Sequence, residues 1–222
     1  AAPAGTTGAD TAAGSRAKAP LACARKARVF WTNNAIVLSA RPFGEGKAIA
    51  SLFAAEHGCY RGVVPGGNSR TRRYLLQPGT LVVATWRARV AEQLGFLTLE
   101  LFRGLDAKVI HDRLRLAALV AACSLLDASL PEREPNADLY RHSLTLLDGL
   151  TAAEGFLDAY AEWERRLVAA LGFGLAPLAP PVAQMRQTLL ALEEHVFADR
   201  PGVPPARRRF ANLIDTDRSW AC

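Results

Sequence analysis

The residues NAIVLSARPFGEGKAIASLFAAEHGCYRGVV, at positions 34–64, decide the fold of this 222-residue chain. They contain three short segments rich in β-branched and other apolar residues, separated by glycine-containing turns at residues 43–46 and 57–58. Short apolar segments divided by tight turns are typical of antiparallel strands. This stretch therefore predicts three consecutive strands.

The same pattern continues to residue 102, with further turn signals at residues 65–68, at residues 77–79 and at Gly95. Five short strands suit a small closed barrel, which leaves no unpaired sheet edge. We expect a five-stranded Greek-key barrel of the OB-fold type, with an SH3-like barrel as the alternative. The predicted strands are residues 35–40, 48–53, 60–64, 81–90 and 96–102.

From residue 106 onward the apolar residues recur at helical spacing. Residues 112–130 are apolar around much of the helix circumference, which predicts a buried central helix ended by Pro131. The predicted fold class is therefore α+β, with an OB-fold barrel at residues 29–105 and an all-α domain at residues 106–215. Further helices are predicted at residues 138–150, 153–171, 182–197 and 206–214.

The two ends of the chain lack a periodic apolar face. Residues 1–28 are rich in Ala, Gly, Ser and Thr and contain five basic residues, which predicts a disordered basic tail or a remnant of an organellar targeting segment. Residues 216–222 are expected to be a loose C-terminus.

The charge of the chain is uneven. Lys and Arg total 27 against 21 Asp and Glu, a formal net charge of +6; the basic excess lies in residues 1–105, and the rest of the chain is mildly acidic. A polyanionic partner is therefore expected to bind the N-terminal half. No apolar run is long enough to cross a bilayer, so no membrane partner is predicted.

The sequence carries none of the common motifs for catalysis or metal binding. The sequence contains no nucleophile elbow, no Walker-type phosphate loop, no H-E-x-x-H and no C-x-x-C pair. The four cysteines, at positions 23, 59, 123 and 222, are too scattered to predict a zinc site. The sequence therefore predicts a protein that is not an enzyme, with no catalytic residues, no cofactor and no metal.

The segment PGGNSRTRRY, at positions 65–74, is the most informative local feature. Guanidinium groups bind phosphates through two parallel hydrogen bonds, and an adjacent aromatic ring can stack on a base. A nucleic-acid site is therefore predicted, although a solvated loop or a site for an acidic protein would also use these residue types. The predicted contact residues are Arg70, Arg72, Arg73 and Tyr74 in this segment, with Lys47, Arg61, Arg87 and Arg89 on the strands.

Several segments of the chain, in order, resemble the RecO family of DNA repair and recombination mediators, especially its alphaproteobacterial members. In the barrel the resemblance lies in residues 34–46, 53–58, 65–70, 76–79 and 86–89. In the helical half it lies in residues 130–135, 139–140, 160–175 and 194–197. It extends over about residues 30–215.

The resemblance implies an OB-fold that binds single- and double-stranded DNA, followed by an all-α domain. It also implies strand annealing and recombinase loading without nucleotide hydrolysis, together with a RecR-type protein and a single-stranded-DNA-binding protein. Carried over by position, the DNA-contacting residues are those of the basic segment with Arg87 and Arg89, and secondarily Lys47 and Arg61.

The sequence also departs from that family. The cysteine-cluster segment that many members carry is missing after Leu175, and residues 1–28 form an N-terminal extension. These departures suggest an alternative, in which a RecO-like protein became a structural subunit of the mitochondrial ribosome, bound to rRNA or ribosomal proteins. The expected location is accordingly the mitochondrial matrix or a bacterial cytoplasm.

Overall fold

Five strands form the first half of the protein, whose computed structural model describes residues 29–90 and 93–216. All five predicted strands are present, although the first begins at Val29 rather than at residue 35 and the fourth ends at Ala88 rather than at residue 90. The predicted N-terminal segment, residues 1–28, lies outside the described residues, and so does the predicted C-terminal segment from residue 217 onward, whereas Thr216 is the last residue of the final helix. The strands are β1 Val29–Phe43, β2 Lys47–Ala54, β3 Gly58–Val64, β4 Leu81–Ala88 and β5 Gly95–Arg103.

The strands pair in the order β1-β2-β3-β5-β4, and β4 pairs back with β1, so the sheet closes into a barrel. Strand β1 pairs with two neighbouring strands: its first half pairs with β4 and its second half with β2. A register shift between Val37 and Ser39 marks the bend between these halves. The parallel pairing of β3 with β5 completes the Greek-key arrangement of an OB-fold, which confirms the predicted architecture.

Alternate side chains of the strands fill the barrel. The indole rings of Trp31 and Trp86 are stacked with centroids 6.3 Å apart, and Tyr60 meets Trp86 edge-on at 5.2 Å. Leu52 and Leu97 belong to the same core. The side chains between these core residues along each strand point outward. They are buried only where another part of the protein packs against the barrel.

The second half of the protein is helical, as predicted. The predicted central helix is present as α2, Arg113–Ser129, which Asp112 caps by accepting hydrogen bonds from the backbone amides of Leu114 and Arg115. The predicted fourth helix ends in a π-helical turn, Leu192–Val196. A short helix, α1 at Ala107–His111, was not predicted. The helices are α1 Ala107–His111, α2 Arg113–Ser129, α3 Ala137–Gly149, α4 Phe156–Ala170, α5 Pro181–Ala191 and α6 Pro205–Thr216.

Helix α2 packs against the outer face of β1 and β2. The carboxylate of Asp127 on α2 accepts hydrogen bonds from Ser39 at 2.8 Å and from Ser51 at 2.6 Å. Ile36 and Phe53 point outward from the barrel and are buried in the same apolar cluster as Leu119 of α2. One side of the barrel is therefore covered by the helices.

Candidate nucleic-acid interface

The basic segment at residues 65–74 forms the first part of the connection between β3 and β4. Its backbone is held by hydrogen bonds from the amides of Arg72 and Arg73 to the carbonyl of Ser69, at 3.2 and 3.1 Å. A 3-10 turn, Arg73–Leu76, follows and buries Leu75 and Leu76. The three arginines of the segment are exposed, so the loop is anchored by its leucines and presents its charges to solvent.

Side-chain hydrogen bonds within the loop position two of these arginines. Arg72 donates from Nη1 to the carbonyl of Pro65 at 3.2 Å, and Arg73 donates from Nη2 to Oδ1 of Asn68 at 3.3 Å. Each keeps further N–H groups free to bind a phosphate. Arg70 has no side-chain hydrogen bond to any described residue.

Lys47 lies close to this loop in the fold. It is the first residue of β2 and follows the turn at residues 44–46, whose Gly46 carbonyl accepts a hydrogen bond from the amide of Asn68 at 3.5 Å. Tyr74 is 52% exposed. The structure therefore brings Lys47 and Tyr74 near the arginines of the basic segment.

Arg61 is separated from this group. It lies on the outer face of β3 that the helices cover, where Nη1 is 2.7 Å from a carboxylate oxygen of Glu132 and Nη2 is 3.5 Å from Asp127. Two carboxylates thus neutralise its charge. Arg61 remains a predicted contact residue, but its geometry is that of a bridge between barrel and helices.

Arg87 and Arg89 lie at the end of β4, beside a surface depression of about 560 Å³ that Leu94 and Phe96 also line. Arg87 pairs across the sheet with Phe30 of β1 and with Phe96 of β5. Both phenylalanines are exposed, at 67% and 57%. Sequence reasoning missed these two aromatic residues as parts of a binding surface.

The ion pairs of the protein are distributed unequally between its two halves. Among the described residues, the barrel arginines that pair with a carboxylate are Arg61 and Arg103, and both reach residues of the helical half. Many helical arginines are instead paired with acidic residues of their own half. The barrel side chains with no acidic partner among the described residues are Arg41, Lys47, Arg70, Arg72, Arg73, Arg87 and Arg89.

Neither a metal site nor enzyme chemistry is predicted from the sequence. Among residues 29–90 and 93–216 no group of three or more His, Cys, Asp or Glu side chains is placed to hold a metal ion. Burial, with a smaller contribution from Asp127, raises the pKa of both the Cys59 and Cys123 thiols to about 12, which disfavours the nucleophilic thiolate. In the part of the chain that is described, no helix is both long and apolar enough to span a bilayer.

The fold and the free basic groups define a class: an OB-fold barrel with an unneutralised basic surface, joined to a helical domain. Residues 29–104 match the family model described as "Recombination protein O N terminal", and residues 110–176 match "Recombination protein O C terminal". The chain therefore belongs to the RecO family.

Bacterial relatives agree with this assignment. The chain is 49% identical over 152 residues to the DNA repair protein RecO of Rhodospirillum rubrum, covering 66% of this chain and 60% of that protein. It is 50% identical over 145 residues to the RecO of Rhodospirillum centenum, covering 65% of this chain and 58% of the relative. The chain thus spans about 60% of the length of the curated relatives that it matches.

Proposed function

We propose that this chain is a non-enzymatic DNA-binding protein of recombinational repair, which binds single-stranded DNA on its barrel. The observation that carries the proposal is the set of exposed barrel arginines without carboxylate partners, above all Arg70, Arg72 and Arg73. A phosphate backbone supplies the missing counter-charge, and the release of its condensed cations favours binding.

Strand annealing follows from the same surface. A protein that neutralises the phosphates of two complementary strands lowers the repulsion between them. Recombinase loading, with a RecR-type protein and a single-stranded-DNA-binding protein as partners, is the further part of the proposal. It is supported by family membership and by the names of the relatives, which are DNA repair proteins. The ribosomal alternative has no support from these relatives.

The proposal is tested by the salt dependence of binding. The affinity of the full chain for a fluorescent oligo-dT is measured by anisotropy between about 50 and 200 mM salt, a range over which binding through phosphate contacts weakens steeply. We expect Arg70→Ala/Arg72→Ala/Arg73→Ala to weaken binding and to reduce the slope of log K against log salt by about 0.7 for each lost contact.

A matched control removes three arginines that are already neutralised. Arg141, Arg186 and Arg208 pair with Asp138, Asp215 and Glu193 on the helices, so their triple alanine variant loses the same formal charge. We expect this variant to bind and to anneal complementary strands like the wild type. If the two variants lost affinity for oligo-dT equally, binding would depend on the net charge of the protein, and this result would contradict the assigned site.

A further inference from the structure

The outer face of β1, β4 and β5 carries a cross-strand row of three side chains. Phe30, Arg87 and Phe96 are register partners on neighbouring strands, and directly opposed residues project from the same face of a sheet. Two strand spacings place the phenylalanines roughly 10 Å apart, on either side of the guanidinium. We call these three residues the aromatic row.

The end of this face that carries the aromatic row is exposed, in contrast to the side of the barrel that α2 covers. The next row on the same face consists of Thr32, Thr85 and Thr98, in which the hydroxyls of Thr32 and Thr85 are 3.0 Å apart. The face therefore combines large exposed rings with small polar side chains.

The barrel holds the aromatic row on a rigid base. Directly behind it the inward side chains include Trp31, Trp86 and Leu97, which are almost fully buried. The indole of Trp86 also donates a hydrogen bond to the carbonyl of Arg61 at 3.2 Å. A fixed platform binds a ring with little loss of side-chain entropy.

The charge on this part of the face favours a polyanion as its occupant. Arg87 and Arg89 have no carboxylate partner among the described residues, and the acidic residue Glu100 lies farther along β5. Exposed phenylalanines beside free arginines match a single nucleic-acid strand, because the bases stack on the rings while the phosphates meet the guanidinium groups.

We propose that the aromatic row is a base-stacking surface for single-stranded nucleic acid, with a base on Phe30, a base on Phe96 and the backbone held at Arg87. This inference rests on the proposed DNA-binding function. It adds to that function the stacking of bases on the two rings, a contact that is lost when the bases pair. The aromatic row therefore distinguishes single strands from duplex, whereas the basic segment binds both.

The test compares two oligonucleotides of equal length, oligo-dT and a strand made entirely of abasic sites. Phe30→Leu and Phe96→Leu keep an apolar side chain but remove the flat ring, and each should weaken oligo-dT binding by about 10-fold, the effect of losing one stacked base. Binding of the abasic strand should not change, because its phosphates still meet the same arginines. Phe96→Trp should retain the affinity for oligo-dT.

Phe102→Leu is the matched control, because Phe102 lies on the same strand as Phe96 and is 63% exposed. It should bind both strands like the wild type. If the wild type binds oligo-dT and the Phe30 and Phe96 variants bind it equally well, the inference is wrong while the proposed function stands. If the wild type binds neither strand, the proposed function itself is wrong.

Discussion

Arg207 of α6 lies with its guanidinium against the carboxylate of Glu164 on α4, and the two side chains are 1% and 0% exposed. Nη2 of Arg207 is 2.9 Å from Oε2 of Glu164 and also donates to the carbonyl of Met185 on α5 at 2.8 Å. Burial alone would lower the pKa of Arg207, but the charge of Glu164 raises it above its ordinary value. One buried ion pair thus joins three helices.

We expect Arg207→Met to lower the free energy of unfolding by about 3–5 kcal/mol, because it leaves the Glu164 carboxylate buried without a counter-charge. Glu164→Gln should also destabilise, since the Arg207 cation then lacks its counter-charge. The double variant should be more stable than the sum of the single effects predicts, and urea denaturation measures all three. Additive effects would show that the two charges are not coupled.

Gly58 permits a close approach between the barrel and the segment after α2. Its φ angle is +68°, and a Cβ atom at this position would lie 2.1 Å from the carbonyl oxygen of Glu134. We expect Gly58→Ala to lower the free energy of unfolding by about 3 kcal/mol or more, because backbone strain adds to the collision.

Gly44 is a matched control for this substitution. Its φ angle is +58°, but its Cβ position has no neighbour within 4 Å. Gly44→Ala should therefore cost only about 1–2 kcal/mol of backbone strain. Thermal unfolding measures the loss of stability in both variants, and the difference between them is the contribution of the collision. Equal losses of stability would contradict the close approach at Gly58.

The strands and turns could be predicted because short apolar segments, and the glycine-containing turns between them, encode them locally. The short helix α1 and the 3-10 turn Arg73–Leu76 were missed because four or five residues are too few to show a helical period. The start of β1 was missed because polar Thr32, Asn33 and Asn34 interrupt its apolar pattern.

The site could be predicted only in part. The basic segment is a local cluster and is visible in the sequence, whereas the carboxylates that neutralise Arg61 lie more than sixty residues away in the chain. The sequence did contain a signal for the aromatic row. Phe96 and the polar residues Thr98 and Glu100 occupy alternate positions along β5, and Arg87 lies two positions after Thr85 on β4. Alternate residues of a strand point to the same face, and polar residues on a face indicate that it meets solvent.

The raised thiol pKa values predict slow alkylation of the folded protein. At pH 8, Cys59 and Cys123 should react with iodoacetamide far more slowly in the native state than in urea, because both thiols are buried and protonated. Peptide mapping by mass spectrometry resolves each cysteine. Rapid native labelling of either residue would contradict its burial.

The same shifts predict a loss of stability at alkaline pH. Between the ordinary thiol pKa, near 9, and the folded value of about 12, the unfolded chain has lost these protons while the folded chain retains them. The unfolded state therefore binds fewer protons, and the free energy of unfolding falls as pH rises through this window. Cys123→Ala should reduce the steepness of this fall in urea titrations above pH 9.

Asp127 couples the two halves of the protein, because its carboxylate accepts hydrogen bonds from Ser39 and Ser51 on the barrel and pairs with Arg61. Asp127→Ala should lower the free energy of unfolding by about 1–3 kcal/mol, since the hydroxyl of buried Ser51 loses its acceptor. It should also lower the pKa of Cys59 and Cys123, because the charge of Asp127 contributes to raising both. Asp199→Ala, at an exposed position, is the control. If Asp127→Ala leaves both stability and native thiol reactivity unchanged, the carboxylate does not couple the barrel to the helices.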